Sequence, residues 1–387
     1  MLNDTSERRG RGGGEAALDR VTKSVDQNRL VERARELRNA RFRWQRGAAK
    51  LLDHQHRVGL CRWAQIARNV GPTVSLTDYE GGARASFGGV QLCGSVWVCP
   101  CCSARISEVR RGEMNALLAA GRAAQVIPVM VTLTARHGRQ DALKDLLEGM
   151  KLAKQRLHQR REWRKLKESL VGSVTATEVT HGRSGWHPHF HVLLLIHAAS
   201  EAEVVELAEA LCEPWLACLR GIGLDGLGVG FSAQGAAAAG DYVGKWGAAE
   251  EIALGDRKGG RRGGRSPMQL LADATEKDDR KAGALWREFV VAFKGRRQLV
   301  WSRGLKEWAG IEDLSDEAAA EEPPELRLVA TIQPEEWRGG VNWRGARHRR
   351  GRLLTAAEEE GAAGVRRVVA DGGTDPPRPE PPPNLIE

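Results

Sequence analysis

The sequence predicts an α+β fold in which helices pack on an antiparallel sheet, preceded by a cysteine-rich, zinc-binding segment. Three observations carry that expectation. The stretch "VIPVMVTLTARHG" is β-branched and apolar, as a buried strand requires. Next, "DALKDLLEGMKLAKQRLHQRREWRKLKESL" repeats its apolar residues at three and four, which marks a long helix with a basic outer face. Then "GSVTATEVTHGRSGWHPHFHVLLLI" reads as two strands joined by a Gly-rich hairpin turn. Continued downstream, the order is strand, helix, hairpin, helix, strand, helix, which suits an antiparallel sheet with helices on one face.

Along the chain, residues 1–28 are polar, basic and Gly-rich and are expected to be disordered. Residues 29–122 hold a basic helical stretch, "RLVERARELRNARFRWQRGAAKLLDHQH", then the cysteine-bearing segment, then a helix ending near Gly121. Residues 123–255 contain the strands and helices described above. In them "EAEVVELAEALCEPWLACLR" reads as one amphipathic helix, "GLGVGFS" as a short strand and "AQGAAAAGDYVGKWGAAEEIAL" as a helix that Ser232 caps. Residues 256–312 begin with the basic loop "GDRKGGRRGGRSP" and continue as a folded, Trp-rich extension, where aromatic and cationic side chains together suit stacking on bases and contact with phosphates. From Asp313 to Glu387 acids and prolines rise, and a largely disordered tail is expected.

The formal net charge is +9 and the pI about 9.4, with the basic residues crowded before Asp313, so the folded part favours a polyanion such as nucleic acid. No window approaches the roughly 18 to 20 apolar residues of a membrane span, and "MLNDTSERRGRGGG" has no secretory hydrophobic segment. A cytoplasmic protein with no membrane partner is expected. Of seven cysteines, five fall between Cys61 and Cys102, which suits metal binding better than a secreted disulfide framework.

His187, His189 and His191 fall at every second position, so an extended strand sends all three imidazoles to one face. A hairpin turn centred near Arg183 and Ser184 sets Glu178 opposite His189, and a slip of one residue would turn its carboxylate away. A carboxylate with two histidines suits Mg²⁺ or Mn²⁺ as an activator of phosphate. Downstream, Tyr242 and Lys245 lie three apart on an expected helix and share a face, placing a possible nucleophile beside a cation. Cys99 and Cys102 form C-x-x-C, and with Cys93 and Cys61 they would close a four-thiolate structural zinc site. Cys101 could replace Cys102, and His54 or His56 could replace Cys61. Cys212 and Cys218 read as packing residues on the amphipathic helix.

A His-hydrophobic-His strand, the upstream strand "VMVTLTA" and a helical Y-x-x-K in this order resemble the rolling-circle replication initiators (Rep proteins) of small bacterial plasmids, within the HUH endonuclease superfamily. The resemblance runs from about Cys93 to Gly310 and includes "CGSVWVCPCCSARIS" and "WREFVVAFKGRRQLVWSRGLK". It implies an HUH-like fold in which a metal held by His189 and His191 polarises a scissile phosphodiester of single-stranded or cruciform origin DNA. It further implies that Tyr242 attacks to give a 5′-phosphotyrosyl enzyme and a 3′-OH primer, that Lys245 orients the phosphate or the tyrosine, and that Glu178 or His187 completes the metal shell. Host helicase and DNA polymerase are implied partners. Some related initiators carry a glutamate one turn before the tyrosine, where this chain has Ala238. The competing readings are an HUH transposase or relaxase, and a non-catalytic, zinc-stabilised DNA-binding regulator.

Overall fold

The computed structural model describes residues 13–53, 56–79, 82–244, 264–321, 326–341 and 349–371. These form two compact units: one takes the described residues of 1–40, 65–90 and 323–387, the other those of 41–64 and 91–322. A long helix, α1 (Gly13–Leu51), begins inside the stretch expected to be disordered and contributes residues to both.

In the first unit, strands β1 (Thr73–Tyr79) and β2 (Gly82–Gly88) pair antiparallel. On its other side β1 pairs with a strand from the far end of the chain, Arg327–Thr331. A helical stretch, Arg349–Ala370, kinked at Gly361, buries Leu353, Leu354, Ala356, Ala357, Val365 and Val368. The expectation of a largely disordered region after Asp313 is therefore corrected for these residues: the helix carries an apolar face that the abundance of acids obscured. From that helix the Glu358 carboxylate, 5% exposed, accepts from Arg35 Nε at 3.0 Å, from Arg38 and from the Ala85 backbone N–H at 2.9 Å. Two guanidiniums converge on one buried anion.

The second unit holds a five-stranded sheet among the described residues, with strands β3 (Ile127–Thr134), β4 (Leu170–Gly182), β5 (Gly185–Ile196), β6 (Phe231–Gln234) and β7 (Leu299–Trp301) in the order β6-β3-β5-β4-β7. Every ladder is antiparallel, as the expected α+β class requires. Helices cover both faces rather than one. On one face Met130, Val174, Leu193 and Leu195 join Met114, Leu117 and Leu118 of α2 (Pro100–Ala123) in a core. On the other, Val131, Leu133, Val192 and Leu194 meet Leu157, Trp163 and Leu211. The run "VLLLI" is apolar at consecutive positions, and a strand buried on both sides has that pattern.

Three expected elements differ in detail. The helix after β3 divides into α3 (Leu143–Leu157) and α4 (Arg161–Lys167). Continued without a break, its apolar stripe would pass through Arg160, Arg161 and Arg164. The interruption instead rephases the chain so that Trp163 and Leu166 turn inward. The next helix likewise divides into α5 (Glu201–Glu209) and α6 (Cys212–Arg220), because Pro214 is tolerated only in a first turn. Ser232 lies within β6 and does not cap α7 (Ala236–Gly244); the Glu201 carboxylate accepts from the Ala236 N–H at 2.7 Å instead.

The Trp-rich extension forms the helices Pro267–Glu276 and Arg280–Phe293, β7 and a short turn of helix at Leu305–Trp308. Trp286 is fully buried and serves the core, Trp301 lies under Lys306 Nζ at 5.2 Å, and Trp308 is exposed. Base stacking is thus open to fewer of these aromatics than the sequence suggested. No helix among the described residues is long and apolar enough to cross a membrane.

The Glu358 cluster gives a direct stability test. Glu358→Ala strands Arg38 without its anion, leaves Arg35 with Glu359 alone, and should lower the unfolding free energy by about 3–5 kcal/mol. Urea denaturation of the two proteins measures the difference; a change below about 1 kcal/mol would place the cluster among weak surface pairs.

Candidate metal site with an adjacent tyrosine

The five odd-numbered residues from His187 to Leu195 of β5 face one side of the sheet. Leu193 and Leu195 are covered by the core under α2, while His187, His189 and His191 continue the row beyond it. The hairpin turn is Arg183–Ser184, with Gly182 opposite Gly185, and this register pairs Glu178 with His189. Gly185 has a φ of +89°, and a Cβ at this position would come within 2.8 Å of the Gly138 carbonyl oxygen, so this corner admits only glycine without strain.

Ligand atoms of Glu178, His189 and His191 all lie within 4.8 Å of one another. Glu178 Oε2 is 3.3 Å from His191 Nε2, and Glu178 Oε1 accepts a 2.7 Å hydrogen bond from the Tyr242 hydroxyl. The Tyr242 ring sits 4.6 Å from the His191 ring, centroid to centroid. The other ring nitrogen of His191, Nδ1, is 3.1 Å from Thr132 Oγ1 on β3. One carboxylate therefore touches both His191 and the phenol, with His189 close by.

The electrostatics follow from burial. Desolvation, reinforced by the neighbouring His191, pushes His189 down to about 4, so its imidazole is neutral near pH 7 with a lone pair to give. Burial works against charge on Glu178, but its contacts with His191 and Tyr242 prevail and hold it below the ordinary carboxylate range. With 48% of that side chain exposed, water screens the effect. Tyr242 is held well above the ordinary phenol value, first by burial and then by the adjacent Glu178 charge.

His187 does not join the trio. Its Nδ1 lies 2.6 Å from Nε2 of His137, whose Nδ1 faces the Ser184 carbonyl at 3.1 Å. A carbonyl can only accept, so His137 carries its proton on Nδ1, and His187 donates to the free Nε2. Of the alternatives left open by the sequence, Glu178 stands with the histidine pair and His187 stands beside it. Lys245 and His54 lie outside the described residues.

The second cluster joins Cys61, which follows a short 3₁₀ turn at Arg57–Gly59, to Cys93, Cys99 and Cys102. All four are buried, with sulfur atoms within 4.8 Å of one another. Pro100 opens α2 at its first turn, so Cys99 caps that helix and Cys102 lies on its first turn. Hydrogen bonding from Cys61 and Cys93 pulls the Cys102 thiol far below its ordinary value, while Cys102 as partner pushes Cys93 up. Four thiols converging away from water are positioned for a metal ion. Cys101 is buried beside Cys99, and His56 caps the 3₁₀ turn through Nδ1; neither belongs to the foursome. Cys218 is fully buried as a packing residue, and Cys212 is partly so.

Thr132 and His137 are the site residues that sequence reasoning missed. Both lie in "VTLTARHG", but their relevance depends on β3 lying beside β5, a pairing between strands far apart in sequence.

Residues 87–201 match the model of a family described as Replication protein, a span that includes Glu178, His189 and His191 and three of the four clustered cysteines. A protein named "Protein rep" from Streptomyces lividans is 29% identical over 324 residues, covering 65% of this chain and 70% of that protein. A protein named "Neomycin resistance protein" from Streptomyces cyanogenus is 32% identical over 146 residues, 30% of this chain and 32% of that protein. No solved structure matches the chain. The resemblance to Rep proteins read from the motif order is thereby borne out to this extent: residues 87–201 match the Replication protein family, and the chain is similar to a protein named for that role.

With only two tyrosines in the chain, the phenol can be titrated in isolation. In a Tyr79→Phe background the tyrosinate absorbance should rise at a pH above that of free tyrosine, because the neutral phenol is favoured. Glu178→Gln removes one charge opposing ionisation and should move the titration to lower pH. An unmoved curve would mean that the Glu178–Tyr242 contact is not formed in solution.

Proposed function

We propose that this protein is a replication initiator that nicks one DNA strand at a plasmid or phage origin by tyrosine attack and primes rolling-circle synthesis. The observation that carries the reading is the hydrogen bond from Tyr242 to Glu178, which sets the one phenol of the site against a carboxylate–dihistidine trio. Metal-ligand donors and a nucleophile within reach of each other are what phosphodiester transfer needs. The replication-protein match over residues 87–201 and the basic charge before Asp313 support a DNA substrate, single-stranded or cruciform.

Glu178, His189 and His191 would hold Mg²⁺ or Mn²⁺, which when bound withdraws charge from the phosphate oxygens. The Tyr242 oxygen forms the new bond to phosphorus, and the bond from phosphorus to the 3′ oxygen breaks. The phenolic proton leaves along its hydrogen bond toward Glu178. Since that phenol is hard to ionise alone, transfer is favoured when the proton moves as the bond to phosphorus forms. The departing 3′ oxygen takes a proton and remains as the primer hydroxyl, while the 5′ phosphate stays on the protein. Lys245, three residues after Tyr242, is proposed to offset the phosphate charge.

We assign zinc to the cysteine cluster. A tetrahedron with Zn–S bonds of about 2.3 Å has edges of about 3.8 Å. Neighbouring sulfurs here are 3.4 Å apart for Cys61 and Cys102, 3.7 Å for Cys93 and Cys102, and 3.7 Å for Cys99 and Cys61. The ion would tie the start of α2 to Cys61. Residues 123–255 then form the nickase core, and host helicase and polymerase are its expected partners in the cytoplasm.

Two experiments test the proposal. Tyr242→Phe should keep binding of a labelled origin oligonucleotide in Mn²⁺ and lose its cleavage; full cleavage by that variant would remove Tyr242 as nucleophile, and binding without cleavage by the wild type would favour a regulator. Elemental analysis should find one zinc per chain, lost in Cys102→Ser together with a lowered melting temperature. Retention of zinc by that variant would contradict the four-thiolate assignment.

A further inference from the structure

We propose that Thr132 is a positioning residue that decides which ring nitrogen of His191 is offered to the metal. The inference rests on the metal reading of the preceding subsection. His191 is gripped at both ends: Nε2 lies 3.3 Å from Glu178 Oε2 and Nδ1 lies 3.1 Å from Thr132 Oγ1. A neutral imidazole carries one proton, and to ligate through Nε2 it must carry that proton on Nδ1. Such a proton needs an acceptor, and the Thr132 hydroxyl oxygen provides one.

A hydroxyl does more than a carbonyl could in this place. Before a cation binds, the favoured tautomer has Nε2–H pointing at the Glu178 carboxylate, leaving Nδ1 to accept a hydrogen bond. The threonine hydroxyl then rotates and donates. It serves both tautomers because it is donor and acceptor at once, whereas a backbone carbonyl serves only one. Nδ1 of His191 thus keeps a partner in either tautomer, and Nε2 passes from the Glu178 carboxylate to the cation when one binds.

The fold fixes Thr132 for this task. Thr132 pairs with His191 across the β3–β5 ladder and with Ser232 across the β3–β6 ladder, so its backbone is held from both sides. Its β-branched side chain has few rotamers, which keeps the oxygen on the His191 side. Next to it, Thr134 is engaged elsewhere, donating to the Gly230 carbonyl at 2.6 Å. The two threonines of "TLT" share a face and have different partners.

The test is a titration of the full chain with Mn²⁺, following free Mn²⁺ by electron paramagnetic resonance, so that no nicking is needed. His189→Ala defines the signal from this site. Thr132→Val keeps the shape and strand preference of threonine and removes the hydroxyl; its Mn²⁺ affinity should fall about tenfold. Thr132→Ser restores the hydroxyl and should restore wild-type affinity, which a loss caused only by altered packing would not do. Thr132→Ala serves as the second hydroxyl-free variant should valine impair folding. Equal affinity in wild type and the hydroxyl-free variants overturns the inference, as does a serine variant as weak as valine. A wild-type chain with no His189-dependent Mn²⁺ binding would defeat the metal reading itself and this inference with it.

Discussion

Strand β5 is hydrogen-bonded on both sides, to β3 and to β4, and a slip of one residue in either ladder would turn His189 and His191 into the apolar layer beneath them. The site depends on that register. It brings Glu178 opposite His189, Thr132 opposite His191 and Thr134 opposite His189. The register is protected by the other half of the same strand. Val192, Leu194 and Ile196 are buried on one face and Leu193 and Leu195 on the other, so a shift would expose apolar area on one face and bury imidazoles on the other.

The same strand thus divides into two functions along its length. Its second half is buried on both faces and anchors the sheet. Its first half presents the polar side chains of His187, His189 and His191, half-buried, beyond the edge of the core. Tyr242 comes from a helix that packs on this boundary: Ala239 is fully buried in the core and the phenol three residues on is partly exposed. One helical turn carries the chain from core to site. With Ala238 on that helix in place of a carboxylate, a second acid one turn before the tyrosine is not available, so Glu178 is the carboxylate next to the phenol.

Much of this was legible in the sequence because it is local. Period-two histidines, a tight turn at Arg183–Ser184 and the C-x-x-C spacing are each written within a few residues, and the hairpin alone suffices to align Glu178 with His189. What was not legible depends on contacts between distant segments. Pairing of β1 with Arg327–Thr331 joins residues some 250 positions apart, and no propensity in either strand names its partner. The role of Thr132 required the β3–β5 register, and the engagement of His187 by His137 required the packing of a loop on the hairpin turn. Glu201 as the cap of α7 is another case, since Ser232 stood nearer in sequence. The helix breaks before Trp163 and Pro214 are written in phase and composition, but apolar residues continue on both sides of each break and mask it.

The central claim is that one phenol beside a carboxylate–dihistidine trio becomes covalently attached to DNA. Peptide mapping by mass spectrometry, after incubation of the full chain with the replicon's origin strand and Mn²⁺, tests it most directly. A nucleotide remnant linked through a 5′ phosphate to the peptide containing Tyr242 is the predicted result. A remnant on any other residue, or cleaved DNA with no protein-linked phosphate, would contradict it.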